Sequence, residues 1–344
     1  MRASSERGFS MLELLVATGI LLIVMGVVMT ALSNTTKQQQ TIWNRTEMHS
    51  GVRGATELMQ QEVGQAGRSG MGANAPLKLA APVAAAPNCD PSQPNIGAVQ
   101  VGVTNSLNQG DTSGIWGSAG ANPPSYALIT TLDGAFSESV PVYSKTANSI
   151  TACFTQPHAL GTVITTMGSF GNGIIPPNVP SNAVGPGSSD TVLKMFGDLN
   201  GDGKMVYVEY TCDWQNTHKL YRNTMAFEAP LPKPGLNQAL VLLNNIIQNP
   251  PTAANPAGEP CFTYQTEKST AQGTTFTFVT DVAITLTVET QQIDPVTKLK
   301  QTETKALLNV SPRNVYNALQ LANIGYTDRI QSTPASVAAL AAAP

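Results

Sequence analysis

The stretch that most limits what this chain can be is MLELLVATGILLIVMGVVMTAL, residues 11–32. It reads as one continuous apolar helix carrying a single charge, Glu13. At 1.5 Å per residue the run spans about 33 Å, enough to cross the hydrocarbon core of a bilayer. Arg2 and Arg7 precede it, and the next charge after Glu13 is Lys37. Basic residues ahead of a span hold the N-terminus in the cytoplasm and send the bulk of the chain across.

An ordinary secretory signal has a shorter apolar core closed by a small-residue cleavage site. Here the run is too long, and no A-x-A site closes it. The small and polar residues stand before the run instead, at Arg7-Gly8. A cut after Gly8 leaves the whole helix on the mature chain, which then begins at Phe9 and has Glu13 as its fifth residue. A carboxylate in lipid costs a few kcal/mol and needs a partner. The α-amino group freed on Phe9 is that partner, either about one turn away in the same helix or across the interface from a neighbouring one.

The segment GFSMLELLVATGILLIVMGVV resembles the class III signal of type IV pilins and type II secretion pseudopilins. That family's pattern is Gly, then an N-methylated Phe, then Glu at the fifth mature position, then an apolar run; Gly8, Phe9 and Glu13 fit it without departure. The resemblance implies cleavage between Gly8 and Phe9 by a prepilin peptidase, methylation of Phe9, and residence in the inner membrane with the head in the periplasm. It further implies assembly through Glu13 and the helix with other major or minor pilins, and export into an extracellular filament.

Helical periodicity continues past Leu32. Ile42, Met48, Val52, Ala55, Met59, Val63 and Ala66 recur at spacings of three, four or six. No proline occurs before Pro76, so one helix is expected over residues 9–66, about 85 Å long. Residues 9–32 would be its transmembrane and filament-core half. The glycines of GQAGRSGMG end it. The run MQQEVGQAGRSG is also similar to the J-type (PilW/PulJ-like) branch of minor pilins.

Composition sorts the remainder. Only 12% of the 344 residues are charged, about half the usual share. A net charge of −3 gives no basic footprint and excludes nucleic acid as an expected partner. Residues 78–96, 168–189 and 249–260 are Gly-, Pro-, Ala- or Ser-rich and read as surface loops. The tail 332–344 reads as disordered. Between them lie strand-like runs at 98–104, 204–212, 218–222, 275–290 and 298–310, with 237–246 readable as a short helix or a buried strand. DWQNT and QQIDPVT look like hairpin turns, so the sheet should be mainly antiparallel. The expected architecture is α+β, a long N-terminal helix packed on a mainly antiparallel β-sheet head at 67–331, behind a leader at 1–8. This is also the fold the pilin resemblance implies. The run VYVEY…KLYR, the long hairpin and the segment SPRN (311–314) are further similarities to J-type minor pilins.

Cys89, Cys153, Cys212 and Cys261 are widely spaced with no CxxC pair, which argues against zinc. Outside the cytoplasm they are expected to form two disulfides, with three connectivities open; Cys212–Cys261 with Cys89–Cys153 is the favoured one.

The run GDLNGDGKMVYVE satisfies D-x-[DN]-x-[DN]-G-x5-E, a calcium-loop pattern. Asp198, Asn200 and Asp202 place oxygens at alternate positions, Gly203 permits the turn, and the Lys204 carbonyl is a fourth ligand. Glu209 fits the twelfth position badly, because the exit segment alternates like a strand and would carry it about 20 Å from Asp202. Ca2+ is therefore expected without firm use of Glu209. A polar β-turn explains the same residues.

His49, His158 and His218 have no evident Ser, Cys or carboxylate companion in the sequence, and there is no G-x-S-x-G, phosphate loop or H-E-x-x-H. Each reads as a surface or interface residue, and no enzyme is expected. The functional expectation is a minor pilin of a type IV pilus, acting in a tip or priming complex. The alternatives are a J-type minor pseudopilin of a type II secretion system and a membrane-anchored adhesin or binding head.

Overall fold

A computed structural model describes residues 9–72, 76–86, 88–89, 96–118, 125–177, 187–271 and 273–343. Helix α1 (Met11–Gln65) is continuous over 55 residues. Its apolar stretch is bare and is long and apolar enough to cross a membrane. Thr18 and Thr30 do not spoil that stretch, because their hydroxyls donate to the Leu14 and Gly26 carbonyls at 2.9 and 2.8 Å. Such back-bonding leaves no unsatisfied donor for lipid to meet.

The chain divides into two compact units, one of residues 9–51 with 289–303, the other of 52–288 with 304–343. In the first, His49 Nδ1 lies 3.2 Å from Glu303, and Arg45 bonds Gln301. The QQIDPVT turn is closed by Asp294, which accepts the Val296 and Thr297 N–H groups at 2.7 and 2.9 Å. Those donors, the Thr297 N–H above all, hold its carboxyl below the usual range. Ile42, expected in the buried stripe, is exposed here.

In the second unit α1 buries Val52, Ala55, Met59 and Val63, and Ala66 just past its end continues this i, i+3, i+4 stripe. Each of its larger side chains contributes about 1.5–3 kcal/mol by leaving water. The helix stops at Gly67, whose φ of +79° suits glycine alone and whose N–H is taken by the Phe196 carbonyl at 2.9 Å. Asn314, the last residue of SPRN, donates to the Gln65 and Ala66 carbonyls at 3.1 and 3.4 Å, satisfying a helix end that has no partners of its own.

The head of this unit is not a single sheet. Six short antiparallel strands, β1 (Leu77–Leu79), β2 (Val99–Thr104), β3 (Leu128–Leu132), β4 (Ser139–Lys145), β5 (Ser149–Ala152) and β6 (Val163–Thr165), close a barrel in the order β1-β2-β5-β4-β3-β6. A second sheet runs β7 (Val192–Gly197), β8 (Val206–Asp213), β9 (Lys219–Ala226), β10 (Val241–Asn244), in that order. A third centres on β13 (Thr274–Glu289), flanked by β11 (Ile246–Ile247), β12 (Phe262–Ala271) and β14 (Thr302–Val310). The segment 237–246 resolves into a 3-10 turn, Gln238–Leu240, followed by β10.

One core joins the barrel to the second sheet. Trp116, Phe170, Phe196 and Phe227 stack through it, with Trp116 and Phe227 edge-on at 5.2 Å and Phe170 and Phe196 at 4.9 Å. A second core packs α2 (Arg313–Asn323) on Phe276 and Phe278. Disulfides join Cys89 to Cys153 and Cys212 to Cys261.

Three sequence expectations need correction. The tail is not disordered: α3 (Ala335–Ala342) inserts Val337, Leu340 and Ala341 into the main core, and the Lys194 ammonium donates to the Ala341 carbonyl at 2.8 Å. Ala-rich composition hid two large apolar anchors. The stretch 168–189 is not all surface loop, since Phe170, Ile174 and Ile175 are fully buried; residues 178–186 lie outside the described residues. The stretch 78–96 opens inside β1 and buries Leu79 and Val83.

Candidate functional site

The amino end of α1 is built by its own side chains. Ser10 Oγ accepts the Leu12 N–H at 3.2 Å, and Glu13 reaches back so that its Oε2 accepts the Ser10 N–H at 3.0 Å. The reciprocal pair leaves fewer of the first-turn donors orphaned, in the manner of an S-x-x-E capping box. The carboxylate also sits at the positive end of the helix dipole. Glu13 therefore turns toward the chain's start, which is where an amine on Phe9 would be. Phe9 is 84% exposed; Gly8 and the rest of residues 1–8 lie outside the described residues.

Beyond it, Leu12, Leu15, Leu22 and Ile23 are among the exposed large apolar side chains that run to Leu32. Burying such a surface is worth about 25 cal/mol per Å2, so it calls for lipid or for other apolar helices.

The head offers three polar clusters. The first is the turn at Asp198. The Asp198 side chain is 2% exposed, with Oδ2 3.7 Å from the Arg68 guanidinium, while Asn200 and Asp202 are exposed. Asp202 Oδ1 accepts the Lys204 N–H at 3.0 Å. Glu209 is not brought to them. It stands on β8 opposite Lys194, three rungs and about 10 Å beyond the Val206–Gly197 pair that closes the turn. Its Oε2 accepts from Tyr207 Oη at 2.8 Å and Lys233 Nζ at 3.0 Å. Among the described residues no group of three His, Cys, Asp or Glu side chains is placed to hold a metal.

The second cluster was invisible in the sequence. His158 is buried, not at the surface, with Nδ1 2.7 Å from Asp133 and Nε2 2.8 Å from Glu138. The His158 hydrogen bond is the main cause holding the Asp133 carboxyl below the usual range. Glu138 also accepts the Thr155 and Gln156 N–H groups at 3.0 and 3.1 Å. With a carboxylate on each ring nitrogen, His158 clamps the β3–β4 turn to the segment after Cys153 and has no free nitrogen for catalysis. His218 is exposed, as a surface residue should be. It stands just before β9 with φ +55°, and its Nδ1 is 3.2 Å from the Ile246 carbonyl.

The third cluster docks α1 on the second sheet. Glu62, 3% exposed, receives Tyr210 Oη at 2.5 Å and Arg222 Nε at 3.2 Å. Burial by itself works against the Arg222 charge, but Glu62 outweighs it and holds the guanidinium above its ordinary value. Burial, with the Glu62 charge beside it, pushes the Tyr210 phenol far above its own.

These parts define a class: a β-rich head, stiffened by two disulfides, carried on one long helix whose first half is apolar and bare. Residues 3–29 match the family described as the prokaryotic N-terminal methylation motif. The motif supports a type IV pilin-like or pseudopilin protein. The motif carries with it processing by prepilin peptidase, and together with the apolar helix it fits a membrane-anchored pilin and a structural rather than enzymatic part. No curated protein and no solved structure matches the chain.

Proposed function

We propose that this protein is a minor pilin of a type IV pilus, of the J-type branch, set at the filament tip in a priming complex. The observation that carries the reading is the methylation motif at the head of a bare apolar helix. Prepilin peptidase cuts between Gly8 and Phe9 and methylates Phe9. The mature protein waits in the inner membrane with its head in the periplasm. The residue 9–32 face then exchanges lipid for neighbouring pilin helices, and Glu13 pairs with an N-terminal amine, which fixes axial register in a low-dielectric bundle.

Size supports the tip. All but eight of the 344 residues remain after processing, and a head of barrel plus two sheets is bulky for a repeating shaft. At a tip no subunit stacks above it.

The test is N-terminal mass spectrometry of the protein from membranes, followed by filament counts with Glu13→Ala. A mature start at methylated Phe9, with cleavage intact but incorporation lost in the variant, is expected. A protein that still begins at Met1, or filament numbers untouched by Glu13→Ala, would overturn the assembly mechanism.

A further inference from the structure

We propose that the turn Asp198–Lys204 is a calcium site, and that the cation fastens the exit of α1 to the second sheet. The proposal is independent of the pilus reading. It starts from one atom. Asp198 Oδ1 is buried and has no hydrogen-bond partner. A buried acceptor left without a donor costs about 1–3 kcal/mol, and more when charged. Packing forces the exposure of this cost. The Asp198 N–H is bound to the Arg68 carbonyl at 2.9 Å, and a Cβ on Gly70 would come within 2.7 Å of Asp198 Cβ. The side chain therefore packs against the Gly70 backbone and is 2% exposed.

The two oxygens of Asp198 have different company. Oδ2 faces the half-exposed Arg68 guanidinium at 3.7 Å. Oδ1 faces no donor, which is the condition of a monodentate ligand whose second oxygen is held from outside. The following positions supply what a hard cation needs. The Asn200 amide oxygen, the Asp202 carboxylate and the Lys204 carbonyl follow at two-residue intervals, with Gly201 and Gly203 at φ +70° and +80° to curl the chain. Asn200 and Asp202 are exposed to an ion arriving from solvent, with Asp202 Oδ1 also accepting the Lys204 N–H.

The donor set is all oxygen, with neither imidazole nor thiolate. It mixes carboxylate, amide and carbonyl and needs water to complete it, which selects Ca2+ over transition metals and over the stricter octahedron of Mg2+. Two carboxylates make a weak site, in the range of about 0.1–1 mM seen for extracellular modules. Glu209 takes no part, since Lys233 and Tyr207 hold it.

The consequence follows from what the turn touches. A Cβ on Gly203 would fall 2.0 Å from the Met71 carbonyl oxygen, so the turn lies against the segment that leaves α1. Closing the turn around an ion therefore also fixes residues 68–71, and calcium stiffens the joint between α1 and the second sheet.

The experiment is calorimetric titration of the full-length protein in detergent with CaCl2, MgCl2 as the control, and melting curves with and without EGTA. The expected result is saturable Ca2+ binding near 1 mM, a higher Tm that EGTA reverses, and no comparable response to Mg2+. Asn200→Ala alters an exposed side chain and should keep the EGTA Tm of the wild type, Asp202→Ala should lower it slightly by losing the Lys204 N–H bond, and each should bind Ca2+ at least about tenfold more weakly. Glu209→Gln should bind as wild type. Absence of both heat and Tm shift in the wild type, equal response to Mg2+, undiminished binding in Asp202→Ala and Asn200→Ala, or loss of binding in Glu209→Gln would each overturn the assignment.

Discussion

Replacing Glu62 by Met should be among the most damaging single changes in the head. The Glu62 side chain is 4% exposed and Arg222 is 26% exposed. Removing the carboxylate strands a guanidinium that loses both its Nε and Nη2 contacts, and a Tyr210 hydroxyl on a fully buried ring. Breaking a buried pair from one side costs about 3–5 kcal/mol. Water reaching the partly exposed Arg222 lowers that, whereas the orphaned phenol adds about 1 kcal/mol or more. A net loss of about 3–4 kcal/mol is expected, since the two terms share one carboxylate and do not add in full. The Glu62→Met, Arg222→Met pair removes the stranded charge and should recover most of the loss, because an apolar replacement of a whole ion pair is often neutral. Urea unfolding of the detergent-solubilised protein, followed by the fluorescence of its three tryptophans, reads both. At a slope of about 3 kcal/mol per M, the single variant should unfold about 1 M earlier. A single variant within about 1 kcal/mol of wild type, or a double variant no better than the single, would refute the argument that the pair is an energetically coupled dock for α1.

Two further tests concern parts of the head that the first leaves alone. Asp133 has a folded-state pKa held down by His158, and Asp213 one held down, against the effect of its burial, by hydrogen bonds from Thr217 and Asn216. A depressed carboxylate stabilises above its unfolded value of about 3.9 and loses that stability as pH falls through the folded value. The Tm should therefore fall below about pH 4, and Asp133→Asn should flatten that acid limb; a limb of unchanged steepness in the variant would contradict the assignment. Leu340→Ala in α3 should cost about 2–5 kcal/mol, as for other fully buried leucines, measured by the same urea titration. A neutral result would mean that α3 does not hold its place in the core.

The residues that tie α1 to the head were only partly visible in advance. The buried stripe from Val52 to Ala66 follows from a 3.6-residue period, which any amphipathic helix must show. Glu62 looked like one more polar residue on that helix, because nothing in MQQEVGQ says that an Arg stands opposite, 160 residues later. His158 was misread for the same reason. Its partners, Asp133 and Glu138, lie 25 and 20 residues away, and barrel closure alone brings them to its two nitrogens. The barrel itself was largely missed. Its strands are three to seven residues long. In β3, Thr130 and Thr131 are buried beside Ile129, so the alternation that marks a half-exposed strand is lost.

What the sequence determined by itself was whatever depends on neighbours along the chain. An unbroken apolar run that needs no outside partner for its backbone, a carboxylate near the head of that run, and glycines that stop the helix are all local facts, and local facts survive in one dimension. The tertiary structure decided what depends on distant segments meeting. It closed six short strands into a barrel, set Arg222 against Glu62, turned an Ala-rich tail into a core helix, and left one Asp198 oxygen facing no donor. Each of these is fixed by packing between residues that the sequence holds far apart, and no periodicity encodes such meetings.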